Sequence, residues 1–208
     1  MTIIYFVRHG ESEWNASGNR YCGRTDIKLS NIGKQQVQMA ATLLQDVQFT
    51  DAYSSPLCRA RETGEYILLN HEEFVPIQND ERLIEANFGE WEGKRLEEFI
   101  AEDPKYWDQW LKDPGSTKAG KTGENAFEIF QRVNEFVNDV VNQHPEGTIL
   151  VTAHSWVIRF FVAGTLEIPF RNYRMIAQDN VGVTIFKRTK DDEGRFLAIN
   201  LNTHIKKS

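Results

Sequence analysis

The triplet Arg8-His9-Gly10 closes a short apolar run, Ile3 to Val7. Imidazole is nucleophilic when neutral, and its ordinary pKa of ~6.5 keeps that form available near pH 7. A guanidinium presents a planar fork that matches two oxygens of a phosphate, and glycine lets the backbone come close to an anion. Taken alone, a histidine at a strand end reads as a hydrogen-bonded spacer. Arg59, Glu85 and His154 change that reading, because each falls at the start of a predicted helix or just past a predicted strand. Arg59 alone would be a surface ion pair and Glu85, in Leu-Ile-Glu-Ala, a solvated loop charge. His154 lies inside the uncharged run Ile149 to Ile158, where a buried imidazole needs partners. Two arginines and two histidines brought together would form a pocket sized for phosphate.

The elements that must position these groups follow from short apolar runs alternating with helical periods. Residues 2–7 are β-branched and aromatic without alternation, as in a strand covered on both faces. Ser30 caps a predicted helix to about Leu44, with Val37, Ala40, Ala41 and Leu44 at helical spacing. A strand is expected over 51–54, and Ser55-Pro56 reads as the cap and first turn of a helix to about Leu69. A strand near 74–78, a turn over 88–93 and a helical segment over 95–111 broken at Pro104 come next. Lys112 to Gly123 reads as the mobile loop. A long amphipathic helix over 125–143, a strand over 148–152, a helix over 156–166 and strands near 181–188 and 196–201, joined by a charged turn at 190–194, complete the chain.

Strands separated by helices predict a three-layer α/β/α sandwich on a central, mostly parallel mixed sheet. Ligands of such sheets sit beyond the carboxyl ends of the strands. His9 and His154 hold that position on the two most apolar strands, so both should face one crevice.

Composition sets the outer bounds. The 208 residues carry 24 Lys+Arg against 30 Asp+Glu, a formal net charge of -6, and 40% are hydrophobic. With no repeat or linker, the expectation is one domain over residues 1–208 with a substantial core. A net acidic chain lacks the basic face that nucleic acid or an anionic membrane requires, and its apolar stretches are shorter than the ~20 residues that span a bilayer. Cys22 and Cys58 fit neither a zinc spacing nor a disulfide framework. Reduced thiols and the lack of a basic leader before the first strand suggest a cytoplasmic protein.

Val7-Arg8-His9-Gly10-Glu11-Ser12-Glu13-Trp14-Asn15 resembles the signature of the histidine phosphatase superfamily, the phosphoglycerate mutase-like enzymes. The likeness continues through Gly23-Arg24-Thr25-Asp26, Leu29-Ser30-Asn31-Ile32-Gly33, Ser54-Ser55-Pro56-Leu57-Cys58-Arg59-Ala60, Leu83-Ile84-Glu85, Phe88-Gly89-Glu90-Trp91-Glu92-Gly93, Gly123-Glu124-Asn125 and Val151-Thr152-Ala153-His154. It implies phosphoryl transfer through a phosphohistidine. His9 would attack phosphorus, Arg8, Arg59 and His154 would hold the transferring oxygens, Asn15 would add a hydrogen bond, and Glu85 would protonate the leaving alkoxide. Cys22, Gly23 and Ser155 complete the expected substrate contacts. Ser155 stands where many members have glycine, narrowing the pocket, and Asn125 replaces a common serine at a helix cap.

Mutases of this superfamily carry a longer insertion after the acid-bearing segment, with basic residues that grip a substrate carboxylate. Only residues 86 to 153 separate Glu85 from His154, and no paired arginines follow Gly93. Lys94-Arg95, Lys112, Lys118 and Lys121 are partial substitutes. The resemblance therefore implies a phosphatase acting on a small phosphorylated metabolite without metal or cofactor, as a monomer or homodimer, with the mutase as the alternative. A metal hydrolase built on His9, His154 and Glu11 or Glu85, and a non-catalytic phosphate sensor, are the remaining readings. Arg20, Tyr21, Cys22, Phe88, Trp91 and the Trp107–Trp110 helix could wall the substrate pocket, or the aromatics could be core.

Overall fold

The computed structural model describes residues 1–69, 71, 73–192 and 194–205. In chain order the elements are β1 (Thr2–Arg8), α1 (Glu13–Ala16), α2 (Asn31–Leu44), β2 (Asp51–Ser54), α3 (Cys58–Leu68), β3 (Ile77–Asn79), α4 (Leu96–Glu102), α5 (Pro104–Lys112), α6 (Ala126–Gln143), β4 (Thr148–Ala153), α7 (Ser155–Thr165), β5 (Val183–Arg188) and β6 (Arg195–Leu201). Short 3-10 turns cover Glu81–Leu83, Gly89–Trp91 and Phe170–Met175.

Among the described residues the sheet has six strands in the order β3-β2-β4-β1-β5-β6. The four on the β3 side run parallel, and β5 runs antiparallel to both of its neighbours, β1 and β6. Successive side chains on a strand point to opposite faces, so the apolar run of β4 feeds two cores. Ile149 and Val151, with Ile4 and Phe6 of β1, pack on Phe136, Val137, Phe160 and Phe161 of α6 and α7. Leu150, with Val7, Ala52 and Val183, packs on Val37, Ala40, Leu44 and Ile67 of α2 and α3. This is the three-layer arrangement expected from the alternation of strands and helices.

Several helix ends follow local chemistry. Ser30 Oγ accepts from Gly33 N at 3.0 Å and donates to Glu11 Oε1 at 2.6 Å. Asn125 and Glu128 form a reciprocal capping box at 2.9 Å in each direction, so asparagine serves that position well. Asp103 caps α5, whose first residue is Pro104.

Three expectations are corrected. Helix α3 begins at Cys58 and not at Ser55-Pro56, and Leu57 at its N-cap makes no side-chain cap. The distant Asp26 accepts from Cys58 N at 2.8 Å instead, which leaves the Ser55 hydroxyl for another partner. The segment 112–123 is packed rather than loose. Glu90 N–H donates to Gly120 O at 2.9 Å, Glu124 N–H to Asn87 O at 2.9 Å, and Ala119 is fully buried. Gly120 has φ +48°, and a Cβ there would meet Phe88 O at 2.2 Å, so glycine is required both by conformation and by space. The edge strand is Ile77–Asn79, later than the expected 74–78, and Glu193 of the charged turn lies outside the described residues.

Candidate active site

The β1–β4 register creates the site. Arg8 is paired with Ala153, so His9 and His154 leave adjacent strand ends side by side, and His9 N–H donates to Ala153 O at 3.0 Å. Their ring centroids are 5.1 Å apart at 61°. Both are buried, and burial followed by the charge of Arg59 holds each imidazole well below its ordinary pKa, in the neutral form. His9 Nδ1 lies 2.6 Å from Gly10 O, a carbonyl that can only accept. The proton therefore sits on Nδ1, and Nε2 keeps its lone pair. The crowding of Gly10 against α2, where a Cβ would meet Gly33 O at 2.6 Å, keeps that carbonyl in place.

His154 is the N-cap of α7 and engages Ser55 Oγ through Nε2 at 2.8 Å. Its buried Nδ1 has no partner among the described residues. Ser55 Oγ also accepts from Leu57 N at 3.3 Å, which favours donation of its own proton to Nε2. The proton of His154 then resides on Nδ1, as a donor waiting for an acceptor.

Arg8 donates from one terminal nitrogen to Gln178 O at 2.7 Å, while its Nε is buried and unpartnered. Burial and the neighbouring Arg159 lower its pKa to about 10, which leaves it cationic near neutrality. Arg59, in the first turn of α3, is 0% exposed. Its terminal nitrogens hold the carbonyls of Thr25 at 2.9 Å, Gly23 at 2.7 Å and Cys22 at 3.3 Å, and its Nε is unpartnered. Thr63 ties this helix to the β1 end, donating to Arg59 O at 2.7 Å and accepting from Gly10 N at 3.2 Å.

Glu85 is buried at 4% exposure, accepting from Ala86 N at 2.9 Å and, weakly, from Trp156 N at 3.4 Å at the start of α7. These N–H groups and Arg59 favour the carboxylate, yet burial outweighs them and raises the pKa. The result is a carboxyl group that keeps its proton longer than a solvated glutamate.

The cavity over these groups has a volume of about 330 Å³ and is lined by Arg8, His9, Asn15, Cys22, Glu85 and Ser155, six of the predicted residues; Arg59 and His154, both fully buried, are not part of its lining. Asn15 Oδ1 is spent on Ser12 N at 3.1 Å and Ser12 Oγ at 2.9 Å, leaving the amide nitrogen with a 3.4 Å contact to Asn19. Burial raises the Cys22 thiol to about 11, so it stays protonated.

Gly23 departs from expectation. Its N–H donates to both Glu92 carboxylate oxygens at 3.1 Å, it does not line the cavity, and it supports the wall rather than facing a ligand. Trp91, Trp107 and Trp110 are core: Trp110 stacks on Trp156 at 5.1 Å and Trp91 on Phe99 at 4.8 Å. None of Lys94, Arg95, Lys112, Lys118 or Lys121 reaches the cavity. Lys121 pairs with Asp103 and Glu90, Lys118 with Glu128, and Lys94 with Glu102. The basic lining that sequence reasoning missed is Arg159 and Arg174, beside Tyr173. One signal was available, since Arg159 is the single charged residue in an otherwise uncharged helix α7.

The arrangement combines a neutral imidazole with a free lone pair, cationic and N–H donors without acceptors, and a proton-holding carboxyl group. That set suits transfer of a dianionic phosphoryl group to nitrogen. Among the described residues no cluster of three or more His, Cys, Asp or Glu could hold a metal ion.

Comparison with known proteins agrees with the geometry. Residues 4–202 match the model of the histidine phosphatase superfamily, branch 1. Phosphoserine phosphatase 1 of Hydrogenobacter thermophilus is 27% identical over 205 residues, 99% of this chain and 95% of that protein. An Erwinia tasmaniensis protein named "Probable phosphoglycerate mutase GpmB" is 28% identical over 184 residues, 88% of this chain and 84% of that protein. The crystal structure of phosphoserine phosphatase from Entamoeba histolytica in complex with 3-phosphoglyceric acid superposes with a TM-score of 0.87 at 28% identity, covering 99% of this chain and 100% of that one. With the match running from β1 through β6, this chain belongs to branch 1 of the histidine phosphatase superfamily.

Proposed function

We propose that this phosphoric monoester hydrolase acts as one domain on small phosphorylated metabolites in the cytoplasm, through a phosphohistidine on His9. The observation that carries the reading is the tautomer of His9. Its Nδ1 proton is given to Gly10 O, so Nε2 is the one free nucleophilic nitrogen of a neutral ring. Free thiols at Cys22 and Cys58, and the absence among the described residues of a helix able to cross a membrane, fit that location.

In the first step His9 Nε2 attacks phosphorus as the ester P–O bond breaks, and Glu85 transfers its proton to the departing alkoxide. Arg8, Arg59 Nε and His154 Nδ1 meet the charge on the equatorial oxygens, with the Asn15 amide nitrogen as a further donor. Removing one such preorganised donor typically costs about 3–4 kcal/mol of barrier. In the second step Glu85, now a carboxylate, takes a proton from water, whose oxygen attacks the phosphorus of phosphohistidine. Inorganic phosphate leaves and His9 and Glu85 return to their starting forms. Cys22 and Ser155 border the leaving group. Guanidinium and imidazole donors supply the charge stabilisation that a metal gives other phosphatases.

Hydrolysis is favoured over mutase action because Lys94, Lys118 and Lys121, in the stretch that follows Glu85, pair with carboxylates away from the cavity. Incubation with p-nitrophenyl phosphate in EDTA, and with 3-phosphoglycerate with and without 2,3-bisphosphoglycerate, tests the proposal. The expected result is release of inorganic phosphate that EDTA does not reduce. Isomer exchange without phosphate release establishes the mutase, EDTA-sensitive loss the metal enzyme, and phosphate binding without turnover the sensor.

A further inference from the structure

Outside the groups assigned to the phosphoryl transfer, the cavity holds two arginines with no role. Arg159 lies on α7, five residues after His154, and Arg174 lies in the Phe170–Met175 turn packed beside that helix. Arg159 is half-buried, and its Nε is shut from solvent without a hydrogen-bond partner. Arg174 is held with its guanidinium 5.5 Å from the Trp107 ring centroid. Among the described residues neither forms an ion pair, whereas Arg20 on the same cavity is satisfied by Gly93 O at 2.9 Å and Glu98 at 3.8 Å.

The charge balance of the cavity is uneven. Arg8, Arg159 and Arg174 line it, Arg59 lies just behind, and the single acidic group among them is Glu85, which burial pushes toward its neutral form. Arg8 and Arg159 are close enough that Arg159 is the largest charge acting on Arg8, and the two repel. Half-buried, unpaired and mutually repelling cations are costly unless an anion joins them. A phosphoryl group seated on His9 answers Arg8 and Arg59. Arg159 and Arg174 remain without one.

We propose that Arg159 and Arg174 form a second anion subsite, and that the natural substrate is a small phosphomonoester bearing a carboxylate near the esterified carbon. This rests on the hydrolase reading above. A planar carboxylate matches a guanidinium fork two oxygens at a time, and about 330 Å³ leaves room for a few carbons between the two anionic ends. Tyr173, which lines the same cavity, adds a hydroxyl; it accepts from Trp110 Nε1 at 3.4 Å, so its own proton is free to donate.

The test compares matched esters that differ in the carboxylate: O-phosphoserine with O-phosphoethanolamine, and 3-phosphoglycerate with glycerol 3-phosphate. The wild-type protein is expected to prefer the carboxylated member of each pair by about tenfold to a hundredfold in kcat/KM, through KM. In Arg159→Met and in the more exposed Arg174→Met that ratio should fall at least tenfold, and Arg159→Lys should recover part of it. A wild-type ratio near one overturns the proposal. So does a ratio unchanged in Arg159→Met while both esters slow equally, which would put Arg159 on the phosphoryl group. A stronger preference for fructose 1,6-bisphosphate than for either carboxylated ester overturns the carboxylate in favour of a second phosphate. If the wild-type protein hydrolyses p-nitrophenyl phosphate but shows none of these preferences, the subsite fails and the hydrolase reading stands; if it releases phosphate from no ester, the hydrolase reading itself fails.

Discussion

His154 Nε2 and Ser55 Oγ are 2.8 Å apart, and this contact across two strand ends decides which nitrogen of His154 faces the reaction. Ser55 already accepts from Leu57 N–H, so its hydroxyl proton is available to Nε2 and the imidazole proton goes to the unpartnered Nδ1. Ser55 is a positioning residue. Ser55→Ala frees the ring to change tautomer and is expected to lower kcat by about tenfold, the equivalent of a ~1.4 kcal/mol hydrogen bond. Ser55→Thr should recover most of the rate. Wild-type kcat in the alanine variant would remove this role.

Replacing His9 with alanine removes the nucleophile without opening a large apolar void. We expect kcat/KM for p-nitrophenyl phosphate to fall by about 10⁴-fold or more while the melting temperature holds. Acid-quenched wild-type protein should carry acid-labile phosphorus from labelled substrate, and the variant none. Turnover near wild type in His9→Ala would falsify the assignment.

Glu85 is held above the ordinary carboxylate range and His9 well below the ordinary imidazole range. Activity requires His9 deprotonated and Glu85 protonated in the free enzyme, so kcat/KM should rise through the low His9 value and decline above the raised Glu85 value. Glu85→Gln is expected to abolish the descending limb. It should also slow alkyl phosphates by a factor about tenfold greater than it slows p-nitrophenyl phosphate, whose oxyanion needs little help to leave. Equal losses on both substrates would point to another acid.

The same histidines make stability pH-dependent. Folded His9 and His154 have depressed pKa values, so below the unfolded value of ~6.5 the unfolded chain binds more protons. Their stabilising contribution is complete above that value and is lost as pH falls, by about 1.4 kcal/mol per pH unit for each histidine until the folded value is reached. Glu85, raised on folding, acts in the opposite direction, its contribution fading as pH rises above the unfolded carboxylate range. Urea midpoints measured from pH 7 to 5 should therefore drop less steeply in His154→Gln than in the wild-type protein. Parallel curves would show that His154 is protonated alike in both states.

Vanadate adopts the five-coordinate geometry of the transferring phosphoryl group, and its equatorial oxygens would meet Arg8, Arg59 Nε and His154 Nδ1. Competitive inhibition well tighter than by inorganic phosphate is expected. Indifference to vanadate at a hundredfold excess would indicate a different reaction.

Much of this was legible in the residues. The unalternating apolar runs of 2–7 and 148–152 announced buried neighbouring strands, and the polar residues that end them, His9 and His154, could only be placed at the carboxyl edge. Asn125 and Ser30 announced helix starts because capping is a local exchange between a side chain and the next turn, and Pro104 announced the break that separates α4 from α5.

What resisted was every feature whose cause lies far along the chain. Ser55 looked like a helix cap until Asp26 took that task and His154 claimed its hydroxyl. The glycine-rich segment 112–123 looked loose because its anchoring partners, the backbone groups of Asn87 to Glu90, carry no side-chain signal. The identity of the nucleophile and the acid was thus written in local sequence, as residue types at strand and helix ends. The tautomers of His9 and His154, the raised affinity of Glu85 for its proton and the convergence of Arg159 and Arg174 were decided only by tertiary structure. Burial and the distance between charges are properties of packing, and neither can be computed from neighbours along a chain.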